Sequence, residues 1–237
     1  MKEIKDFDIL YEKLNKSHDE DDFLEFVWEL METPYTEYHY SLIINKSTNN
    51  VFRESLWSRF DEHSDAESFL LNKLDKNLNE DFHGEILFCL GKIADLNNGK
   101  QKQRTLEYSI KFVKNSNANT REKAIIVLGW LGGNKEIDLL GNILLNDTIN
   151  KCRAWSASSF MQISFRKKIN FEKILPYFYK ALKQEKDFFV IGNIVNSVQE
   201  ILKKKFGLKQ KDLETNNTVE IEKAKIKVLK YFEKLNV

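Results

Sequence analysis

Apolar residues recur every three or four positions along most of the chain, the period of a helix with one buried face. Residues 3–16 put Ile4, Phe7, Tyr11 and Leu14 on one stripe. Residues 21–32 turn Phe23, Phe26, Val27, Leu30 and Met31 inward and Asp21, Asp22, Glu25, Glu29 and Glu32 outward. Pro34 ends that helix or opens the next. Residues 35–45 and 51–60 predict two further helices on either side of an Asn/Ser/Thr cluster at 45–50. Ser64-Asp65-Ala66-Glu67 has capping-box spacing and opens a run with Phe69, Leu70, Leu71 and Leu74. At the far end, residues 217–235 direct Ile221, Ala224, Val228, Phe232 and Leu235 inward and Lys223, Lys227, Lys230 and Lys234 outward. Asn217 and Glu220 cap that helix. The polar stretch 203–216, with Gly207, reads as the loop before it.

From residue 80 the pattern also repeats. Residues 82–94 read FHGEILFCLGKIA and residues 120–132 read TREKAIIVLGWLG. Matching Leu90 to Leu128 also matches Ile86 to Ala124, Cys89 to Val127 and Ile93 to Leu131. A third copy, residues 152–164, sets Arg153 against Arg121, Phe160 against Leu128 and Ile163 against Leu131. A weaker fourth copy places Val195 and Val198 in the last two slots. The spacings are 38, 32 and 35 residues. Amphipathic segments at 105–113, 136–145 and 171–182 precede three of these helices. A period of 30–40 residues made of helix pairs specifies an α-solenoid, in which each pair covers the apolar face of its neighbour. The ten residues in the matched slots, Ile86, Leu90, Ile93, Ala124, Leu128, Leu131, Phe160, Ile163, Val195 and Val198, are the expected core. Gly91, Gly129 and Gly132 are expected where helices approach closely.

The run of Arg, small or apolar residues, then Leu-Gly-x-Leu-Gly in TREKAIIVLGWLGG resembles the second helix of a HEAT-like repeat. The resemblance covers about residues 80–200. The third copy departs from it with Ser156, Ser159, Met161 and Ser164. The resemblance implies an all-α, right-handed α-solenoid of about five to six helix pairs. The organisation expected is one helical-repeat domain over residues 1–237: divergent helices in 1–79, HEAT-like repeats in 80–202 and a capping helix at 217–235.

Composition agrees with an all-helical chain. Two prolines and nine glycines are too few for the turns of an all-β fold or the phosphate loops of an α/β one. No apolar run approaches the ~20 residues that span a bilayer. The first residues alternate charge with apolar positions and lack a signal-peptide core, so the expected location is the cytoplasm. Cys89 and Cys152, each inside an apolar helical pattern, are expected as buried thiols rather than a disulfide. Charge changes the picture more. The formal net charge is +1, yet residues 1–100 carry 11 Lys/Arg against 22 Asp/Glu and residues 101–237 carry 26 against 14.

Candidate chemistry is sparse. His18, His39, His63 and His83 stand apart from one another in sequence and from the cysteines; His83 reads as a surface or capping residue. No zinc spacing, nucleophile elbow or phosphate loop occurs. No cofactor, metal or catalytic centre is therefore expected. Arg166-Lys167-Lys168 and the cluster Lys203, Lys204 and Lys205 beside Phe206 suit phosphates. Twenty-two acids elsewhere in the chain oppose a nucleic-acid partner.

Tryptophans carry more information. Trp130 shares a repeat slot with Lys92, Gln162 and Ser197, and Trp155 shares one with Glu85 and Lys123; the two slots lie seven residues apart on one helix face. Polar residues in sister copies lead us to expect an exposed concave stripe of Glu85, Lys92, Lys123, Trp130, Trp155 and Gln162. The acidic helix with Asp21, Asp22, Glu25, Trp28 and Glu29 joins it as an expected protein-binding surface; Trp57 reads as core. The expected function is a non-enzymatic protein-binding module, monomeric alone. Lysine- and asparagine-rich helical-repeat proteins of this kind resemble bacterial immunity proteins, which implies a basic toxin domain as partner. The alternatives are a nucleic-acid-binding enzyme similar to alkylpurine DNA glycosylases, a bilin-lyase-type repeat protein, and a scaffold or regulatory subunit.

Overall fold

The computed structural model describes residues 2–17, 19–96, 100–166 and 171–235. Among them the chain forms α-helices joined by short turns, with no strand: α1 (Ile4–Leu14), α2 (Glu20–Met31), α3 (Thr36–Ile44), α4 (Asn50–Ser58), α5 (Ala66–Asp75), α6 (His83–Leu96), α7 (Lys102–Phe112), α8 (Ala118–Leu131), α9 (Ile137–Asn146), α10 (Asn150–Arg166), α11 (Leu175–Gln184), α12 (Phe188–Leu202), α13 (Gln210–Glu214) and α14 (Thr218–Lys234). The chain divides into two compact units, Met1–Thr105 and Leu106–Val237. None of the described helices is long and apolar enough to cross a membrane.

In the first unit α1 packs on α2, α2 on α4, α3 on α4 and α5 on α6. Two aromatic clusters fill it. Phe23 stacks on Phe52 at 4.7 Å between ring centroids, and Phe26 and Phe7 close on them edge-on. Tyr40, Phe60 and Phe69 form the other cluster. Such rings supply much buried apolar area with few rotamers to fix. Ile4 lies 41% exposed and Met31 half-buried, at the ends of their stripes. Asp65, rather than Ser64, precedes α5, and its carboxylate accepts from the Thr36 hydroxyl at 2.6 Å instead of capping the helix.

In the second unit the later helix of each pair stacks on its successor, α8 on α10, α10 on α12 and α12 on α14. The earlier helices α9 and α11 pack on each other as a second layer. This is the all-α solenoid that the repeat pattern predicts. All ten expected core residues are buried across the two units, the most exposed being Ile93 at 6%. Gly129 faces α10 so closely that an added Cβ would sit 2.9 Å from the Ser159 Cα, which is why the Leu-Gly step falls there. The serines of the third copy replace small apolar residues without penalty because their hydroxyls have acceptors. Ser156 donates to the Leu140 carbonyl at 2.6 Å and Ser159 to that of Ile125 at 2.8 Å.

The aligned arginines stitch the turns together. Arg121 grips Asp147 through Nε and Nη2 at 3.0 and 3.2 Å and donates to the Asn115 carbonyl six residues back. Arg153 does the same to Glu185, at 2.7 and 3.1 Å, and to the Asp147 carbonyl six residues back. Each pair is held low in water, with side chains at most 17% exposed. Each arginine keeps its charge, its pKa raised first by the hydrogen bond to its carboxylate. The same device occurs in residues 36–60, where no repeat is legible in sequence. Asn49 caps α4 as Asn117 caps α8, and four residues later Arg53 donates to the carbonyls of Ile43, Asn45 and Thr48.

At the C-terminal end Asn217 caps α14 through the Glu220 amide, and Ile221, Ala224, Val228 and Phe232 are buried. Leu235 is not: it falls one residue past the helix and is 46% exposed. The stretch expected to be loop holds α13, and Phe206 and Leu208 within it are buried against the unit.

Leu128→Ala should cost ~2–5 kcal/mol in denaturant titration, because the side chain is fully buried and a cavity replaces it. Arg153→Ala and Glu185→Ala should be non-additive. A double-mutant cycle should return a coupling of ~1–3 kcal/mol, and additivity within ~0.3 kcal/mol would show that the clasp does not join the turns.

Candidate functional site

The acidic surface is built by α2. Asp19 caps it by accepting from the amides of Asp21 and Asp22, and the acids of its first turn complement the helix dipole. Burial of Phe23, Phe26, Val27 and Leu30 sends Asp21, Asp22, Glu25 and Trp28 to solvent. Glu29 is half-buried and paired with Lys2. Trp28 is 55% exposed, yet it is not loose: the Arg59 guanidinium covers one ring face at 3.9 Å from the centroid. Arg59 is in turn held by Glu62 at 2.8 Å. The other ring face is presented, already oriented, among the acids.

The stripe expected on the concave face is placed differently. Glu85 and Lys92 belong to the first unit, and Lys123, Trp130, Trp155 and Gln162 to the second. All six are half-buried rather than open. Lys92 reaches back to Asp61 at 2.6 Å and to the Ser58 carbonyl at 3.0 Å. Trp155 donates its indole N–H to Glu122 on α8 at 2.9 Å. Gln162 is wedged at Gly129, its Oε1 buried and without a hydrogen-bond donor among the described residues. At Lys92, Trp155 and Gln162 the polar groups face an earlier part of the chain rather than open surface. Trp57, expected in the core, is also half-buried.

Two histidines that stand 24 residues apart in sequence meet in the first unit. His39 Nε2 lies 2.9 Å from the Leu56 carbonyl, which accepts, so the proton of His39 is on Nε2. Its Nδ1 must then accept from His63 Nε2, 2.9 Å away. Burial, followed by the neighbouring imidazole, depresses the His39 pKa to about 3, and burial lowers that of His63. A proton on His39 Nδ1 would set two N–H groups against each other. Sequence distance hid this pair. His83 is buried as well, its Nε2 donating to the Leu78 carbonyl at 3.1 Å, so it closes a turn within the protein instead of standing on the surface. His18, Lys167 and Lys168 lie outside the described residues. Cys89 and Cys152 are buried free thiols, and burial raises the pKa of both, to about 11 for Cys152. Among the described residues no group of three His, Cys, Asp or Glu is placed to hold a metal ion.

The unfolded chain protonates an imidazole near pH 6.5, whereas folded His39 resists to about 3, so between these values the unfolded state binds more protons. Stability should be full above pH 6.5 and fall as the pH drops, by up to ~1.4 kcal/mol per pH unit for one such histidine. Denaturant titrations from pH 7 to 5 should show this slope, and His39→Gln should flatten it. An equal slope in both proteins would assign the acid sensitivity to other groups.

Residues 67–161 match the family model of HEAT repeats. No curated protein and no solved structure gives a significant match to the chain.

Proposed function

The chain is a HEAT-like repeat protein, and from that premise we propose that it acts by binding another protein, as an immunity protein that covers a basic toxin domain. Stacked helix pairs offer extended surfaces to partners, and HEAT repeats are a protein-interaction or scaffold architecture. The observation that carries the reading is Trp28 on the acidic face of α2, 55% exposed and braced by Arg59. A rigid aromatic ring is the usual energetic centre of an interface, and preorganisation lowers the entropy lost on docking. Asp21, Asp22 and Glu25 around it favour a lysine- and arginine-rich surface, such as the cleft of a nuclease, and would speed its approach. The partner-binding role falls to this face rather than to Trp130 and Trp155, whose rings are half-committed to their own unit.

Affinity capture from the native host should retain a basic protein on the wild-type chain and lose it with Asp21→Lys, Asp22→Lys and Glu25→Lys combined. With that partner in hand, Trp28→Ala should mainly raise the dissociation rate, at a cost of ~2 kcal/mol. The triple reversal should lower the association rate and flatten its dependence on salt. Kinetics unchanged by both variants would sink the proposal. A partner that is not a toxin would leave a binding module and remove the immunity role.

A further inference from the structure

The lysine-rich turn after α12 is a built structure rather than a loose charge run. Lys203 ends α12 in the left-handed region at φ 50°, and Gly207 turns the chain again at φ 101°. The side chain of Gln199 fastens the hook between them. Its carbonyl accepts from the amides of Phe206 and Leu208 at 2.8 and 3.3 Å, and its amide donates to the Leu208 carbonyl at 3.1 Å. Phe206 and Leu208 point into the unit, so the residues between and beside them point out. A cavity of about 510 Å³ opens inside the hook, and Lys203, Lys204, Lys205 and Lys209 line it. Two of these ammonium groups are steadied over rings, Lys203 on Phe165 at 4.5 Å and Lys204 on Tyr231 at 4.1 Å. Lys227 stands close to the hook, its Nζ 3.0 Å from where a Cβ on Gly207 would lie. Glu200 is the one carboxylate among the described lining residues, and it pairs with Lys203 at 3.4 Å. This site gathers cations with little to neutralise them.

A second cavity of about 280 Å³ adjoins the first and shares Asn196 and Gln210 with it. Its character is different. Phe188, Phe189, Leu213 and Ile221 line it together with Asn193, Glu214 and Asn216, and Phe189 is 42% exposed. Residues 189, 193, 196, 200 and 203 follow one another at helical spacing, so both cavities lie along a single face of α12. The result is a groove with a strongly cationic end, amide side chains at its waist and a far end where phenylalanines stand among polar residues.

We propose that this groove binds a small phosphate ester with a flat apolar body, the chemical class of the nucleoside diphosphates, with its phosphates in the lysine hook and its ring on Phe189. The lysines supply multiple N–H donors to a polyanion, and the fastened backbone keeps them in place before the ligand arrives. Asn196 and Gln210 offer both donors and acceptors to the polar middle of such a molecule. The volumes match a ligand of that size. A nucleic-acid strand is the poorer fit, because it asks for a basic track along its whole path, and here the cationic surface gives way to phenylalanines and Glu214.

Calorimetric titration of the full chain at about 0.15 M salt, with ADP, pyrophosphate and adenosine as probes, tests the idea. ADP should bind saturably at one site. Pyrophosphate should bind about tenfold more weakly, a loss of ~1.4 kcal/mol, and adenosine more weakly still. Lys205→Gln with Lys209→Gln should weaken both phosphate probes, while Phe189→Ala should weaken ADP and leave pyrophosphate unchanged. All three residues are exposed, so circular dichroism should show the variants folded. Absence of saturable binding at millimolar ADP would overturn the proposal. So would undiminished affinity in the double lysine variant, or a single-stranded oligonucleotide that binds tightly and is not displaced by ADP.

Discussion

The arginine clasp is the interaction on which the regularity of the second unit depends. A helix pair has an apolar face on each side, and apolar contact alone tolerates sliding. Arg121 and Arg153 remove that freedom by joining a helix start, the turn six residues before it and a carboxylate at the next turn. The guanidinium suits this task because its planar fork can satisfy a carboxylate and a carbonyl together. With the turns in register, Gly129 can meet Ser159 at backbone distance, and the buried serines find carbonyls to donate to. Arg53 extends the same solution into the first unit, using backbone carbonyls and the Asn50 side chain in place of a carboxylate.

Charge is distributed unevenly over the chain. In the first unit the apolar side of α2 is consumed by phenylalanines, which leaves its acids and Trp28 outward. In the second unit part of the lysine surplus lies in the turn after α12, and α14 carries as much again. The near-neutral total of +1 conceals both. Ion pairs at solvent add little stability, so the segregation has more to offer in recognition than in folding.

The histidine pair shows a different constraint. Two buried imidazoles among aromatic rings share a hydrogen bond in which His63 donates to His39, because the Leu56 carbonyl dictates which nitrogen of His39 carries the proton. Burial of both imidazoles, reinforced at His39 by its imidazole neighbour, gives the first unit an acid sensitivity.

By itself the sequence determined the helices, the period of the repeats and the identity of the ten matched core residues. It could do so because helix periodicity is a local property and a buried slot excludes polar side chains wherever it recurs. The clasp was half-legible: Arg121 and Arg153 aligned, but their carboxylates, both at the C-cap of the earlier helix of a pair, lie 26 and 32 residues further on and differ in residue type. Asn49 and Arg53, four residues apart as are Asn117 and Arg121, were a readable signal for the earlier copy that apolar alignment overlooked. Only the tertiary structure decided that Trp155 and Lys92 turn toward a preceding helix, that His39 meets His63, and that a lysine-rich loop folds into a hook. Each of these depends on side-chain direction and on chain segments far apart in sequence, and a polar residue at a given slot reads the same in sequence whether water or a neighbouring helix receives it.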